Sequence, residues 1–454
     1  MSVSTRHPEY TTSRLAEWEL MRHAYEGESA IKRYTERYLP MIPGWRDAEN
    51  CEDLYLAYIR RARFPEIVSS AIRSMIGIVH GKDWQIDIPG MEYLHERATK
   101  DGLTLDAFTR RVTLELLTTG RYAVISDAPN TETGGDPYLC GYNAESFINW
   151  DENDQSFYVF QEEKNVRDGF VWRTVLRTRV MELIDGRYVQ SVYDDGSLAS
   201  GFKPVLPSRR PIEFIPIAVG GAMDMDLKPD TPPLIGVARA AVSHYQIYAD
   251  WRTALFMAYQ DTLVIHNATS ESLPNSVGAG VMIALQSSEV GKETRAEYIA
   301  PSGTSIEAHE RGMDREQQTA VRSGAALFDN TQGSGQESGE ARRLRFSAET
   351  ATLQSIANAS AAIVEKAIRN AAMMKGLEPE GIVVKPPTDM LEGKLDATGI
   401  TALVSAWEKR AFSYVTLHEN LQRGGVASME RTADEEYSLI EGEENRALPD
   451  DGMV

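Results

Sequence analysis

Three short constellations in this 454-residue chain carry residue types that could do chemistry. His309-Glu310-Arg311-Gly312-Met313 and His418-Glu419-Asn420 open as a zinc helix opens. Each lacks the second histidine, four residues on, that would put two imidazoles on one helix face. Asp151, Asn153, Gln155 and Glu162 stand at positions 1, 3, 5 and 12 of a calcium loop, but Ser156 holds the place where that loop needs glycine. A strand-edge turn is the expectation there. Asp151, Asp154 and the Asp224/Asp226 pair would make an intracellular metal-dependent hydrolase if the fold brought them to one cleft. No G-x-x-x-x-G-K-[ST] run is present, so the chain is not expected to be a packaging ATPase. Gly278-Ala279-Gly280 has no third glycine in phase and no βαβ context for a dinucleotide. The expectation is no enzyme, no cofactor and no metal.

A fourth cluster bears charge rather than catalytic groups. Arg342, Arg343 and Arg345 follow the run Asn330 to Gly339, which includes Gln332, Gly333, Ser334, Gly335 and Gln336 and cannot anchor a core. Such a run reads as a mobile loop. The arginines could approach nucleic-acid phosphates or pair with acids of a neighbouring copy, such as Glu337 or Glu340; both readings stand.

The elements that would position this loop come from periodicity. Pro232-Pro233 is a permitted helix start, and Leu234, Val237, Ala238, Ala241, Tyr245, Tyr248, Leu255, Phe256, Tyr259 and Leu263 recur at helical spacing, interrupted at Arg252. At 1.5 Å per residue that helix would run roughly 40 Å. A small strand-rich insert follows, with β-prone runs at Leu263–Ile265, Val281–Leu285 and Tyr298–Ala300 and turn chemistry over Asn275–Gly280. A polar helix from about Thr304 to Phe328 returns, suited to a wet surface or a subunit seam. After the loop, Arg345 to Met374 reads as a long helix with Gly376 as its cap.

Upstream, helices are expected over Ser13–Tyr25, Pro65–Val79 and Thr104–Thr119, and strands over Arg121–Ile125, Phe157–Phe160, Val171–Val180, Tyr188–Tyr193 and Ile212–Val219. Tyr138, Tyr142, Ile148 and Trp150 continue the first strand's sheet. Downstream come a short strand at Ile382–Val384 and helices at Ile400–Trp407 and Tyr414–Leu421. From Glu430 onward acids dominate, and a solvated or disordered end is expected.

Composition bounds the rest. With 42% hydrophobic and 25% charged residues the chain can bury a sizeable core. A net charge of −20 argues against gripping nucleic acid by counterion release, though not against letting it slide past. Two cysteines, Cys51 and Cys140, make no disulfide framework and point to a reducing compartment. The polar start, Met1–Tyr10, does not read as a signal peptide, and no apolar run reaches membrane-spanning length.

The order of long helix after a proline-leucine start, small insert, returning helix, glycine-rich loop and then Ser338-Gly339-Glu340-Ala341-Arg342 resembles the portal proteins of tailed bacteriophages. The opening is similar to one branch of short portals: a helix with Trp18, Gly27-Glu28, Tyr38-Leu39-Pro40, then Tyr55 and Tyr58 with Arg61-Ala62-Arg63-Phe64. The resemblance implies an α+β phage portal fold with an α/β wing (1–231), a two-helix stem (232–262 and 303–329), a small α/β clip (263–302), a tunnel loop (330–341), a long connecting helix (342–400) and a helical crown region with an acidic tail (401–454). It further implies a homo-oligomeric ring, as a dodecamer carrying a formal charge of about −240, at one capsid vertex of the virion, assembled in a bacterial host's cytoplasm. Double-stranded DNA would pass through it without sequence specificity, Gln332–Gln336 with Arg342, Arg343 and Arg345 lining the channel. The clip, with His266, Asn267, Asn275, Gly278, Lys292 and Arg295, would meet the terminase large subunit and later the head-completion adaptor. The wing would meet the major capsid and scaffolding proteins. The alternatives are another ring-forming head-tail connector without a packaging role, and the hydrolase above.

Overall fold

The computed structural model describes residues 2–127, 135–202, 212–258, 262–269, 293–299, 306–325, 339–387, 397–423, 425–428 and 431–444. They fall into two compact units, Met1–Pro386 and Pro387–Val454.

The first unit opens with helices. Thr11 accepts from the Arg14 amide to start α1 (Thr12–Glu26), and Gly27, at φ 96°, ends it. Then come α2 (Glu28–Arg33), α3 (Thr35–Tyr38), α4 (Cys51–Arg61), α5 (Ile67–Val79), strand β1 (Gln85–Asp87) and α6 (Tyr93–Glu96). Helix α7 (Leu105–Thr119) starts on the Thr104 hydroxyl and stops at Gly120 in the left-handed region, φ 72°, which turns the chain directly into β2 (Arg121–Asp127). Strands β3 (Tyr138–Asn143), β4 (Phe147–Trp150), β5 (Phe157–Asp168), β6 (Val171–Ile184), β7 (Arg187–Asp194), β8 (Ser197–Phe202) and β9 (Ile217–Gly221) follow. The remainder of the unit is α8 (Ile235–Ala258), β10 (Thr262–His266), β11 (Arg295–Ile299), α9 (Ile306–Ala320), α10 (Gly339–Lys375) and β12 (Val383–Lys385).

Strands β2 to β9 make two stacked antiparallel sheets, one in the order β3-β2-β9 and one in the order β4-β5-β6-β7-β8. Alternation decides which residues meet between them. Ala123, Ile125, Tyr142, Ile217 and Val219 of the smaller sheet pack on Phe147, Trp150, Tyr158, Phe160, Met181 and Tyr188 of the larger. The opposite face of the smaller sheet receives α10: Ser126 donates to the Ala367 carbonyl at 2.6 Å and Asn370 to the Ile217 carbonyl at 3.1 Å. The opposite face of the larger sheet, through Ile148, Val159 and Val180, packs with Tyr10 and Trp18 of the N-terminal segment. Trp18 is wholly buried and donates its indole N–H to the Thr119 carbonyl, tying α1 to the end of α7. Arg22 of α1 bridges Glu115 of α7 and Glu145 before β4, at 2.6 and 2.8 Å.

Several boundaries differ from the sequence-based expectation. Ile212–Val219 is not one strand: Ile212 and Ile215 are buried as core residues outside regular structure, and the strand is Ile217–Gly221. The short expected strand near Ile382 pairs with β1, which periodicity did not reveal. In the second unit, α11 (Ala397–Glu408), α12 (Tyr414–Arg423) and α13 (Ala433–Glu444) are helical. Of the solvated or disordered end expected from its acidity, the last of these is a solvated helix, because Thr432 and Glu435 cap each other reciprocally, the Glu435 amide donating to the threonine hydroxyl and the Thr432 amide to the carboxylate. No described helix is long and apolar enough to cross a membrane.

Candidate functional site

The excursion Pro232–Lys375 begins on a helix whose burial declines along its length. Leu234, Val237, Ala238, Ala241, Tyr245 and Ala249 of α8 are buried, whereas Trp251 to Leu255 are at most half-buried and Phe256 and Met257 are exposed. The buried part is held by the N-terminal helices. Gln246 donates to the Tyr38 carbonyl at 2.8 Å, Tyr58 to Asp250 at 2.5 Å, and the Phe64 and Tyr245 rings meet edge to face. The last such contact is the Arg61 guanidinium, 3.7 Å from the Phe256 ring centre. The expected helix therefore has two regimes. Its first half is core, where small residues let α1, α4 and α5 approach, and its second half emerges.

Helix α9 runs back antiparallel on α8. A Cβ at Gly236 would lie 3.0 Å from Ser323 Cβ, and one at Gly312 would lie 3.4 Å from Ile247, so these positions pair in a constant register. Over its 15 residues, roughly 22 Å at helical rise, α9 buries only Ala320. Its outer face presents Glu307, Glu310, Arg311, Asp314, Arg315, Gln318 and Arg322 to solvent, the last five lining, with Thr319, a shallow depression of about 460 Å³. The helix ends in a π-type turn, Val321–Ala325, where Gly324 at φ 127° brings the backbone to 3.1 Å (from its would-be Cβ) of Leu234. On the inner seam, burial pulls the His244 imidazole down while Glu316 and Asp314 oppose the shift. Among the described residues the Trp251 indole N–H and Thr253 hydroxyl are buried without a hydrogen-bond partner.

At the far end β10 and β11 pair antiparallel from Thr262↔Ile299 to His266↔Arg295. The Glu297 carboxylate gathers this end, 3.2 Å from His266 Nε2 and 2.6 Å from Arg295 Nη2. Asn267, in the left-handed region at φ 55°, donates to the Glu293 carbonyl at 3.3 Å. His266, Asn267 and Arg295 are thus brought together. Asn275, Gly278 and Lys292, with the expected strand Val281–Leu285, lie outside the described residues.

Arg342, Arg343 and Arg345 fall on the first turns of α10, with their side chains outside the described residues; Gln332, Gly333, Ser334, Gly335 and Gln336 lie outside them altogether. Further along, α10 enters the core: Leu353, Ile356, Ile363, Val364, Ala367, Ile368 and Ala371 are buried. Ser360 meets the Thr113 hydroxyl at 2.9 Å, and Gly376, at φ 79°, follows the helix end.

At the root of the excursion sits a residue that sequence reading missed. Arg121 is 1% exposed, with its guanidinium carbon 4.4 and 4.3 Å from the Phe147 and Trp150 rings. Its Nη2 donates to the Leu227 carbonyl at 2.5 Å, in the segment that leads from β9 to α8. Burial pushes this guanidinium down to about 9, opposed by Asp226 and Asp230. The available signal was a cation opening an otherwise apolar strand, Arg121-Tyr122-Ala123-Val124-Ile125.

The carboxylates considered for metal chemistry close turns instead. Asp151 accepts from the Asn153 and Ser156 amides and the Ser156 hydroxyl. Asp224 accepts from the Asp226 amide, and Asp226 from that of Leu227. Among the described residues no three His, Cys, Asp or Glu side chains come together as metal ligands. His309 lies on α9; His418 lies on α12 and is buried beside Tyr414.

Residues 233–374 match a family described as a domain of unknown function, DUF4055, a stretch that runs from the start of α8 almost to the end of α10 and makes up less than a third of the chain. No curated protein matches. Among solved structures, a chain in the neck of a native GTA particle, computed with C12 symmetry, is 13% identical with a TM-score of 0.41 over 78% of this chain and 89% of that one. A chain from the neck of an empty GTA particle, computed with C6 symmetry, gives 13% and 0.41 over 83% and 94%. A third, from the virion of a native gene transfer agent particle, gives 14% and 0.40 over 81% and 92%. Likeness at TM-scores near 0.4 does not by itself carry a shared role.

Proposed function

We propose that the protein is a portal protein of a tailed phage or phage-like particle, a subunit that closes into a ring, by resemblance of twelve copies, at one capsid vertex. Double-stranded DNA would pass through the ring during packaging and ejection, and the role would be structural rather than enzymatic. The observation that supports this best is the antiparallel α8–α9 pair. One helix is rooted in the body and emerges toward its end, the other returns along it with a polar outer face, and a two-stranded tip joins them. A helix that exposes so many charged residues while burying a single alanine suits a seam between copies better than a monomer's core.

On this reading residues 1–231 form the wing, 232–262 and 303–329 the stem, 263–302 the clip, 330–341 the tunnel loop, 342–400 the connecting region, whose helical part is α10 to Lys375, and 401–454 the crown region. Gln332–Gln336 would line the channel, with Arg342, Arg343 and Arg345 at its margin. His266, Asn267, Asn275, Gly278, Lys292 and Arg295 would dock the terminase large subunit and then the head-completion adaptor, and the wing would face capsid and scaffolding proteins. Light scattering after size exclusion, with negative-stain imaging, tests the reading: rings with a central bore are expected, and a monodisperse monomer of 50.5 kDa at high concentration would overturn it. Rings that form but fail to support DNA packaging in a complementation assay would mark a connector component instead.

A further inference from the structure

Strands β5 and β6 are longer than the sheet they belong to. Strand β4 pairs with β5 only over Tyr158–Phe160, and β7 reaches along β6 only to Arg177. Six further rungs, Glu163↔Leu176 to Asp168↔Val171, project as a two-stranded finger, about 20 Å long at roughly 3.3 Å per residue. Among the described residues no strand pairs with either side of this finger, so beyond Leu176, whose amide and carbonyl bond Asp195, both edges present backbone donors and acceptors.

The finger is built to hold its shape. At its base Asp195 accepts from the Leu176 amide at 3.0 Å and Arg177 grips Asp194 with two bonds of 2.7 Å. Midway, Thr174 donates to Asn165 at 2.9 Å. At its end Gly169, φ 61°, is the first residue of a two-residue turn, as a II′ hairpin requires. Arg167 Nε donates to the Gly169 carbonyl, and its guanidinium lies 5.7 Å from the Phe170 ring. Yet this ordered tip carries the most exposed large apolar side chain of the described residues, Phe170 at 96%, flanked by Val171 at 70% and Trp172 at 65%. An isolated hairpin is marginal in water, and aromatic groups exposed at the end of one braced at its base and turn are what a docking arm needs, since the backbone's ordering cost has been met before binding.

Charge selects the occupant. Over its six rungs, Glu163 to Leu176, the finger bears three cations, Lys164, Arg167 and Arg173, against two acids, Glu163 and Asp168, a net positive segment on a chain whose net charge is −20. The surface most abundantly complementary to a cationic, aromatic tip is therefore that of an identical, acidic neighbour. An arm docking on a different surface of the next copy makes a heterologous contact, and such contacts propagate around a ring when the rotation closes. We infer that the β5–β6 finger is an assembly arm whose Phe170/Trp172 tip docks onto an acidic surface of a second copy of this chain. The inference rests on the ring reading above and adds to it the arm that would join neighbours.

Photo-crosslinking tests it. The full-length protein carrying p-benzoylphenylalanine at position 170 is assembled as an equal mixture of light- and heavy-isotope chains, irradiated, digested and examined by mass spectrometry. Peptide pairs of mixed isotope that join position 170 to an acid-bearing segment are expected. A Phe170→Ser/Trp172→Ser variant should need at least tenfold more protein to assemble, with unchanged circular dichroism. Rings whose crosslinks stay within one isotope, or lead to DNA or to another protein, overturn the arm while leaving the ring intact. A wild-type chain that never assembles and never crosslinks between copies overturns both.

Discussion

At the scale of single residues, the body is held by polar groups whose solvation has been given up for a defined partner. His80 shows the consequence. It follows α5, stacks on Trp84 and meets the Thr113 hydroxyl through Nε2 at 3.0 Å, while Nδ1 is buried without a partner among the described residues. Burial, reinforced by Arg110 and opposed by Asp106, pushes this imidazole down to about 4. The unfolded chain, titrating near 6.5, takes up the proton first as the pH falls. The contribution is thus fully present above about pH 6.5, is lost progressively toward pH 4 and is constant below. About 2 kcal/mol should be gone by pH 5. Urea denaturation at pH 7.5 and pH 5 of the wild type and a His80→Gln variant measures it: the variant should lose about 2 kcal/mol less between the two, and equal losses would show that His80 is not held neutral. Burial also pulls down His7, His23 and His244, so a slope of the same sign should remain in the variant.

At the scale of elements, the turn at Gly324 decides how α9 rejoins the body. Its φ of 127° is hostile to any side chain, and a Cβ would stand 3.1 Å from a Leu234 methyl. Gly324→Ala should cost about 1–2 kcal/mol and concentrate its effect in α9. Hydrogen exchange should quicken over 306–325 and stay unchanged over α7; a uniform change, or none, would show that the turn does not control the helix. Much of this level was legible in the sequence. Helices α1, α5, α7 and α10 and strands β2, β5, β6 and β7 follow from periodicity, whereas β8 (Ser197–Phe202) is not among the expected strands and β9 is expected too early. What escaped did so for identifiable reasons. The expected strand stops at Val219, yet Gly220 and Gly221 extend β9, glycine being needed there because a Cβ at the first would meet Ile363 at 2.9 Å and one at the second Asp230 at 2.1 Å. Ile212 and Ile215 look like strand residues because burial, which sets their composition, is shared by irregular core segments. The capping box at Thr432 and Glu435 was present in the sequence but masked by a composition that suggested disorder. The candidate site was less legible than the fold, since the finger's unpaired length and the placement of Arg121 depend on which strands stop short, and strand ends are set by partners distant in sequence.

At the scale of the whole molecule, charge constrains what the protein can do with a polyanion. A duplex is bound tightly when clustered lysines and arginines release its condensed counterions. Here 67 acidic residues outnumber 47 basic ones, and the polar outer face of α9 interleaves Glu307, Glu310 and Asp314 with Arg311, Arg315 and Arg322 rather than separating the signs. A ring of such chains would repel phosphates over a Debye length of about 8 Å at physiological salt, so a duplex passing through it would find no well to settle in. Assembled protein mixed with linear double-stranded DNA at 0.15 M salt should therefore show a dissociation constant weaker than about 10⁻⁴ M, the loose end of non-specific binding. Fluorescence anisotropy of a labelled duplex across a salt series reads this directly. A micromolar complex with a steep negative salt slope would mean that a cationic surface dominates after all, and that this chain holds DNA rather than letting it pass.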